Sequence, residues 1–225
     1  AMIEKIKAAA HAKVNASVAA PAKTSTRLAK LDTSTLVVIG ASTGGTEALR
    51  QLLTALPAGI PPILVVQHIP EVFSTAFARR LKELCAFDVR EAVDGEVIEA
   101  GRVLVAPGGR QLEIVRRGKT LRARVTDGPL VNRHKPSVDV LFDSVAKHCG
   151  AGAVGVILTG MGSDGAEGLL KMKNAGARTI AQSEASCVVF GMPRAAVEAG
   201  AVDKSCDLAD IPMLLLRWLA AKKAA

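Results

Sequence analysis

Apolar residues fall along the chain in two rhythms. Leu36-Val37-Val38-Ile39, Ile63-Leu64-Val65-Val66 and Ala153-Val154-Gly155-Val156-Ile157-Leu158 are short, uninterrupted and largely β-branched, the pattern of strands covered on both faces. Helical spacing follows each of them. It runs over residues 47–53, over 70–84 with Phe73, Phe77 and Leu81 on one face, and over 165–174, closed by Gly176. Residues 137–147 are amphipathic, 178–181 read as a further short strand, and 211–221 as a C-terminal helix carrying Trp218. Between residues 87 and 127 the period changes to alternation, with Gly95, Gly101, Gly108, Gly109 and Gly118 as turn points. That change predicts short, mostly antiparallel strands at an edge, including a hairpin turning at Gly118-Lys119. The whole pattern predicts an α/β fold: a doubly wound, mostly parallel sheet with helices on both faces and a small antiparallel hairpin region.

Composition adjusts this picture at the ends. With 225 residues, 49% of them hydrophobic and 22% charged, the chain can bury one full core, expected over residues 36–221. The Ala- and Lys-rich start, poor in large apolar residues, makes residues 1–35 a flexible linker or tail. Lys7, His11 and Lys13 break its apolar runs, so neither a signal peptide nor a membrane insertion is expected, and the location expected is cytoplasmic. Ala1 stands before Met2 and the tail meets a core strand abruptly, as in a chain cut from a longer one with another domain upstream. The net charge of +8 favours acidic partners, but the chain has no Tyr and no recognisable nucleic-acid module, which argues against nucleic acid. Arg110, Arg116, Arg117, Lys119, Arg122 and Arg124 alternate with apolar residues as the solvent face of the hairpin, or as a docking surface for an acidic protein. Cys85, Cys149, Cys187 and Cys206 are scattered, which points to buried reduced thiols and to no metal site; no cofactor is implied.

Chemistry enters at the strand ends, because functional groups of such sheets gather beyond the carboxyl ends of parallel strands. Gly40-Ala41-Ser42-Thr43-Gly44 matches G-x-S-x-G, a turn that pushes a serine hydroxyl out at a helix N-terminus. No lysine follows the glycines, as a phosphate loop requires, and Ser42 stands where a dinucleotide fingerprint needs glycine. Two readings of the loop remain, a nucleophile turn and a side-chain helix cap. His68 ends the second strand, and Asp164 lies in the glycine-rich loop after the third. A serine, an imidazole and a carboxylate on one rim fit a catalytic triad. Each has a blander role: His68 as a satisfied strand-end histidine, Asp164 as cap of the helix that begins at Gly165. The backbone N–H of Thr43 and those of the Met161-Gly162 turn are candidate oxyanion donors, and His134, in a basic, proline-bounded loop, is a candidate substrate contact.

The order Ser, His, Asp differs from that of α/β-hydrolases, so that fold is not implied. Residues 38–45, Val66-Gln67-His68-Ile69-Pro70, Ala106-Pro107-Gly108-Gly109, His134-Lys135-Pro136-Ser137-Val138-Asp139 and residues 158–165 together resemble the catalytic domain of bacterial chemotaxis protein-glutamate methylesterases. The resemblance implies a serine hydrolase that demethylates glutamate methyl esters, and deamidates some glutamines, on the cytoplasmic domain of chemoreceptors. Ser42 would be nucleophile, His68 general base and Asp164 its orienting carboxylate. The family's upstream receiver domain is not matched, since residues 1–35 are too short and of the wrong composition for it. A non-catalytic peptide- or phosphate-binding module and a general small-substrate esterase or amidase are the competing functions.

Overall fold

The computed structural model describes residues 31–220, so residues 1–30 of the tail expected over 1–35, and the last residue of the expected C-terminal helix, lie outside the described residues. In chain order the strands are β1 (Leu36–Ala41), β2 (Ile63–Gln67), β3 (Asp88–Glu91), β4 (Arg102–Val105), β5 (Gln111–Arg117), β6 (Thr120–Thr126), β7 (Ala153–Ile157), β8 (Arg178–Gln182) and β9 (Lys204–Cys206). The helices are α1 (Gly45–Thr54), α2 (Glu71–Leu84), α3 (Val138–Cys149), α4 (Ala166–Asn174), α5 (Met192–Glu198) and α6 (Ile211–Leu219). Seven strands form one sheet in the order β3-β4-β2-β1-β7-β8-β9, every neighbouring pair parallel, while β5 and β6 pair antiparallel beside it. This is the doubly wound α/β architecture with a small antiparallel hairpin that the apolar pattern predicts.

Alternation along each strand divides the core into two layers. Val37, Ile39, Ala41, Ile63 and Val65 face α1, α2 and α6; Leu36, Val38, Leu64 and Val66 face α3, α4, α5 and the hairpin. All six residues of β1 are buried, as befits the strand at which the chain's path across the sheet reverses. Leu31 bridges Ala220, and the Asp32 N–H donates to Leu219 O at 2.7 Å, so the start of the described chain lies against the end of α6. Among the described residues no helix is long and apolar enough to cross a membrane.

Three expectations need correction. First, β3 and β4 are parallel members of the main sheet, not antiparallel edge strands. Their connection takes no helix. It pairs with β6 instead, through the Val97–Arg122 bridge and the Ile98 N–H on Leu121 O, so the alternation over residues 87–127 mixed two sheets. Second, α2 buries Ser74, Ala78 and Leu81, while Phe73 is 58% exposed. Ser74 tolerates burial because its hydroxyl donates to Glu91 and accepts the Gly108 N–H. Third, the four free thiols are half-buried rather than buried, and burial pushes those of Cys85 and Cys187 up to about 11. The seven-residue α5 and three-residue β9 are too short to give a periodic signal.

Phe142 on α3 is fully buried in the second layer. Phe142→Ala is expected to lower the unfolding free energy by about 3–5 kcal/mol. Urea unfolding should show this as a lower midpoint at an unchanged slope.

Candidate active site

The parallel ladder continues past β1 and β2, where the His68 N–H donates to Ala41 O and the Ser42 N–H to Thr159 O, each at 3.0 Å. Ala41 and Gln67 are register partners, so Ser42 and His68 are the next residues on strands about 4.8 Å apart. Ala41 packs into the first core layer, so the alternation turns Ser42 toward the opposite face, the one covered by α3. The two glycines around Ser42 do different work. Gly44, at φ 79°, makes the left-handed turn into α1, whereas a Cβ on Gly40 would stand 2.3 Å from Val138 Cγ1 at the start of α3. No side chain caps α1, which removes the capping reading of Ser42 and Thr43. The Ser42 hydroxyl has no hydrogen-bond partner among the described residues.

Asp164 is 2% exposed and accepts the His68 Nε2–H at 2.8 Å. It does not cap α4, the helix it precedes, whose N-cap residue is Gly165 and whose start has no side-chain cap. It caps α3. Its oxygens accept the Val138 N–H at 2.7 Å, the Asp139 N–H at 3.3 Å, the Ser137 hydroxyl at 2.7 Å and the Asn132 Nδ2 amide at 2.8 Å. Asp139 returns the favour from α3, accepting the Gly168 N–H of α4 at 2.6 Å. Burial alone would raise the Asp164 pKa, but the donors of His68, Asn132, Ser137 and Val138 outweigh it and hold the carboxyl at about 2. Asp139 goes the other way, pushed up by burial and by the neighbouring Asp164 charge.

Because a carboxylate only accepts, Nε2 carries the proton of a neutral His68 ring and Nδ1 the lone pair. Nδ1 is buried without a partner. The structure therefore joins His68 to Asp164 directly and makes no hydrogen bond between His68 and Ser42. His134, expected as a substrate contact, lies flat on the His68 ring, centroids 3.6 Å apart and planes within 10°. Burial, then the nearby His68, lowers its pKa. Thr43 is exposed, Met161 is 67% exposed and Gly162 sits at φ 92°; their backbone N–H groups have no partner among the described residues. Gly160 carries this loop up to Ser42, since a Cβ there would stand 2.8 Å from Ser42 Cβ.

Sequence reading missed four groups. Buried Gln67 donates through Nε2 to Ser42 O at 2.9 Å and to His68 O at 3.1 Å, tying the two loops together. Asn132, Ser137 and Asp139 surround Asp164. Gln67 left one trace, a polar residue ending an apolar run; the others lie in the loop before α3 and its first turn, and their partner Asp164 is distant in sequence.

The CheB methylesterase family model matches residues 37–215. A protein-glutamate methylesterase/protein-glutamine glutaminase of Rhodospirillum rubrum is 57% identical over 185 residues, 82% of this chain and 51% of that protein. One from Salmonella typhi is 50% identical over 222 residues, 98% of this chain and 64% of that protein. The chain thus spans about half to two-thirds the length of these relatives. The crystal structure of the Thermotoga maritima CheB methylesterase catalytic domain superposes with a TM-score of 0.80 at 37% identity, covering 82% of this chain and 98% of that one.

The depressed Asp164 pKa has a signed consequence for stability. A carboxyl at about 2 in the fold and near 3.8 unfolded contributes about 2 kcal/mol above roughly pH 4, lost as pH falls toward 2. Urea titrations should therefore find Asp164→Asn much less stable than the wild type at pH 7, with the gap closing between about pH 4 and pH 2.

Proposed function

Because this chain belongs to the CheB methylesterase family, we propose that it is a serine hydrolase that demethylates glutamate methyl esters, and deamidates some glutamines, on the cytoplasmic domain of chemoreceptors. The observation that carries this reading is the buried His68–Asp164 hydrogen bond, which leaves Nδ1 of the ring without a partner. On this reading the Ser42 hydroxyl turns onto Nδ1 once substrate is seated, since catalytic hydrogen bonds tighten in the substrate complex. Ser42 Oγ attacks the γ-carbonyl carbon as Nδ1 takes its proton, and Asp164, ionised far below neutral pH, stabilises the imidazolium through Nε2.

The uncommitted N–H groups of Thr43 and of Met161 or Gly162 then face the oxyanion. Collapse expels methanol from an ester, or ammonia from a glutamine, each protonated by His68. Water attacks the acyl-enzyme with His68 again as base, and glutamate is released. The reaction runs in the cytoplasm, with residues 1–35 as the connector to a receiver domain in the same chain.

Methanol release from a methylated receptor tests the assignment. Ser42→Ala and His68→Ala should each lower turnover by roughly a millionfold, as when triad members act as one unit, and Asp164→Ala somewhat less. A fluorophosphonate should label Ser42 in the wild type and nothing in Ser42→Ala. Turnover retained by a folded Ser42→Ala protein would refute the triad; rapid hydrolysis of small methyl esters with none on receptor would favour a general esterase.

A further inference from the structure

The turn at residues 131–134 touches both members of the His68–Asp164 pair. Val131 and His134 exchange backbone hydrogen bonds of 3.1 and 2.8 Å, and the two residues between them, Asn132 and Arg133, are left-handed at φ 51° and 68°. Glycine and asparagine fill such turns easily. Arginine does not, and holding it there costs about 1 kcal/mol or more. The turn is anchored from the hairpin: Gln111 Nε2 donates to Pro129 O and His134 O, and its Oε1 accepts the Ser137 N–H at 2.8 Å.

From this frame one side chain reaches each partner. Asn132 Nδ2 donates to Asp164 Oδ1 at 2.8 Å and to Asp139 Oδ2 at 2.6 Å. Both are acceptor-only groups, so the amide can face them only with its NH2, and each of its two hydrogens has a carboxylate. Neither carboxylate can withdraw if the amide is removed, because Asp164 caps α3 and Asp139 caps α4. Two buried anions would then face each other without a donor between them. On the other arm, the His134 ring covers one face of His68 at 3.6 Å, so a turn of the His68 ring that would exchange Nδ1 with Nε2 must push against it.

We propose that Asn132 is a positioning residue of the hydrolase centre, and that the 131–134 turn is a clamp, gripping the Asp164 carboxylate through Asn132 and the His68 imidazole through His134. The proposal rests on the triad reading above.

Asn132→Gly tests it cleanly, since glycine keeps the left-handed backbone and deletes only the amide. Its kcat on methylated receptor should fall about 10- to 100-fold, the scale of losses when the outer partners of metal-bound histidines are removed, with KM within twofold. The low-field proton resonance of the His68 imidazole N–H, read without substrate, should shift or broaden. Asn132→Ser, which can still donate to one carboxylate, should fall between, and it carries the test if the glycine variant does not fold. A kcat within twofold of wild type with an unmoved resonance overturns the proposal. So does a loss of thermal stability that accounts for the whole loss of activity while the resonance stays in place. Ser42→Ala run in parallel separates the two readings. Turnover retained there overturns the triad and the clamp with it, whereas turnover lost there but kept in Asn132→Gly overturns the clamp alone.

Discussion

One buried carboxylate holds the second layer of this fold to its rim. Asp164 lies among donors from the residue after β2, from the first turn of α3 and from the 131–134 turn. A bare charge there would cost several kcal/mol, and only a full set of donors keeps it ionised. The positive end of α3 adds to them. Because Asp139 caps α4 in return, the packing of α3 on α4 and the preparation of the carboxylate are one event. Gly168 allows this, for a Cβ there would stand 2.7 Å from Phe142 Cβ and 3.0 Å from Asp139 Oδ1.

The serine side of the rim is built by different means. Ser42 and His68 are set level by the backbone ladder of three adjacent strands, and Gln67 adds side-chain bonds to the carbonyls of both. These contacts do not depend on any titrating group. The rim is therefore two modules, one carried by strands and one by helix ends, that share the imidazole of His68. Their separate origins explain how the His68–Asp164 contact can be fully formed while the Ser42 hydroxyl remains uncommitted.

Much of this was legible in the sequence, for a physical reason. Strands buried on both faces are apolar without interruption, so β1, β2 and β7 stand out, and parallel strands deliver their following residues to one edge. What escaped depends on long-range pairing. The direction of β3 and β4 is set by a crossover that docks on β6, and no local period reports it. Asp164 was legible as a helix cap, but not which helix it caps, because a cap reads forward along the chain while this one reaches back to α3. Asn132 looks like any turn residue until Asp139 and Asp164 are brought on either side of it.

Strand order also sets how far His68 stands from each of its neighbours on the rim. The sheet runs β2-β1-β7, so the serine's strand stands between the histidine's strand and the strand whose loop brings the carboxylate. Successive strands are about 4.8 Å apart, so from His68 the serine is one strand spacing away and the carboxylate's strand about two. Within an imidazole Nδ1 is bonded to the ring carbon nearest the main chain, and Nε2 is at the far end. The far nitrogen, Nε2, meets Asp164 at 2.8 Å, and Nδ1 is left buried without a partner. In the proposed triad the nitrogen closer to the backbone is therefore the one left to act as base, because the carboxylate already holds Nε2.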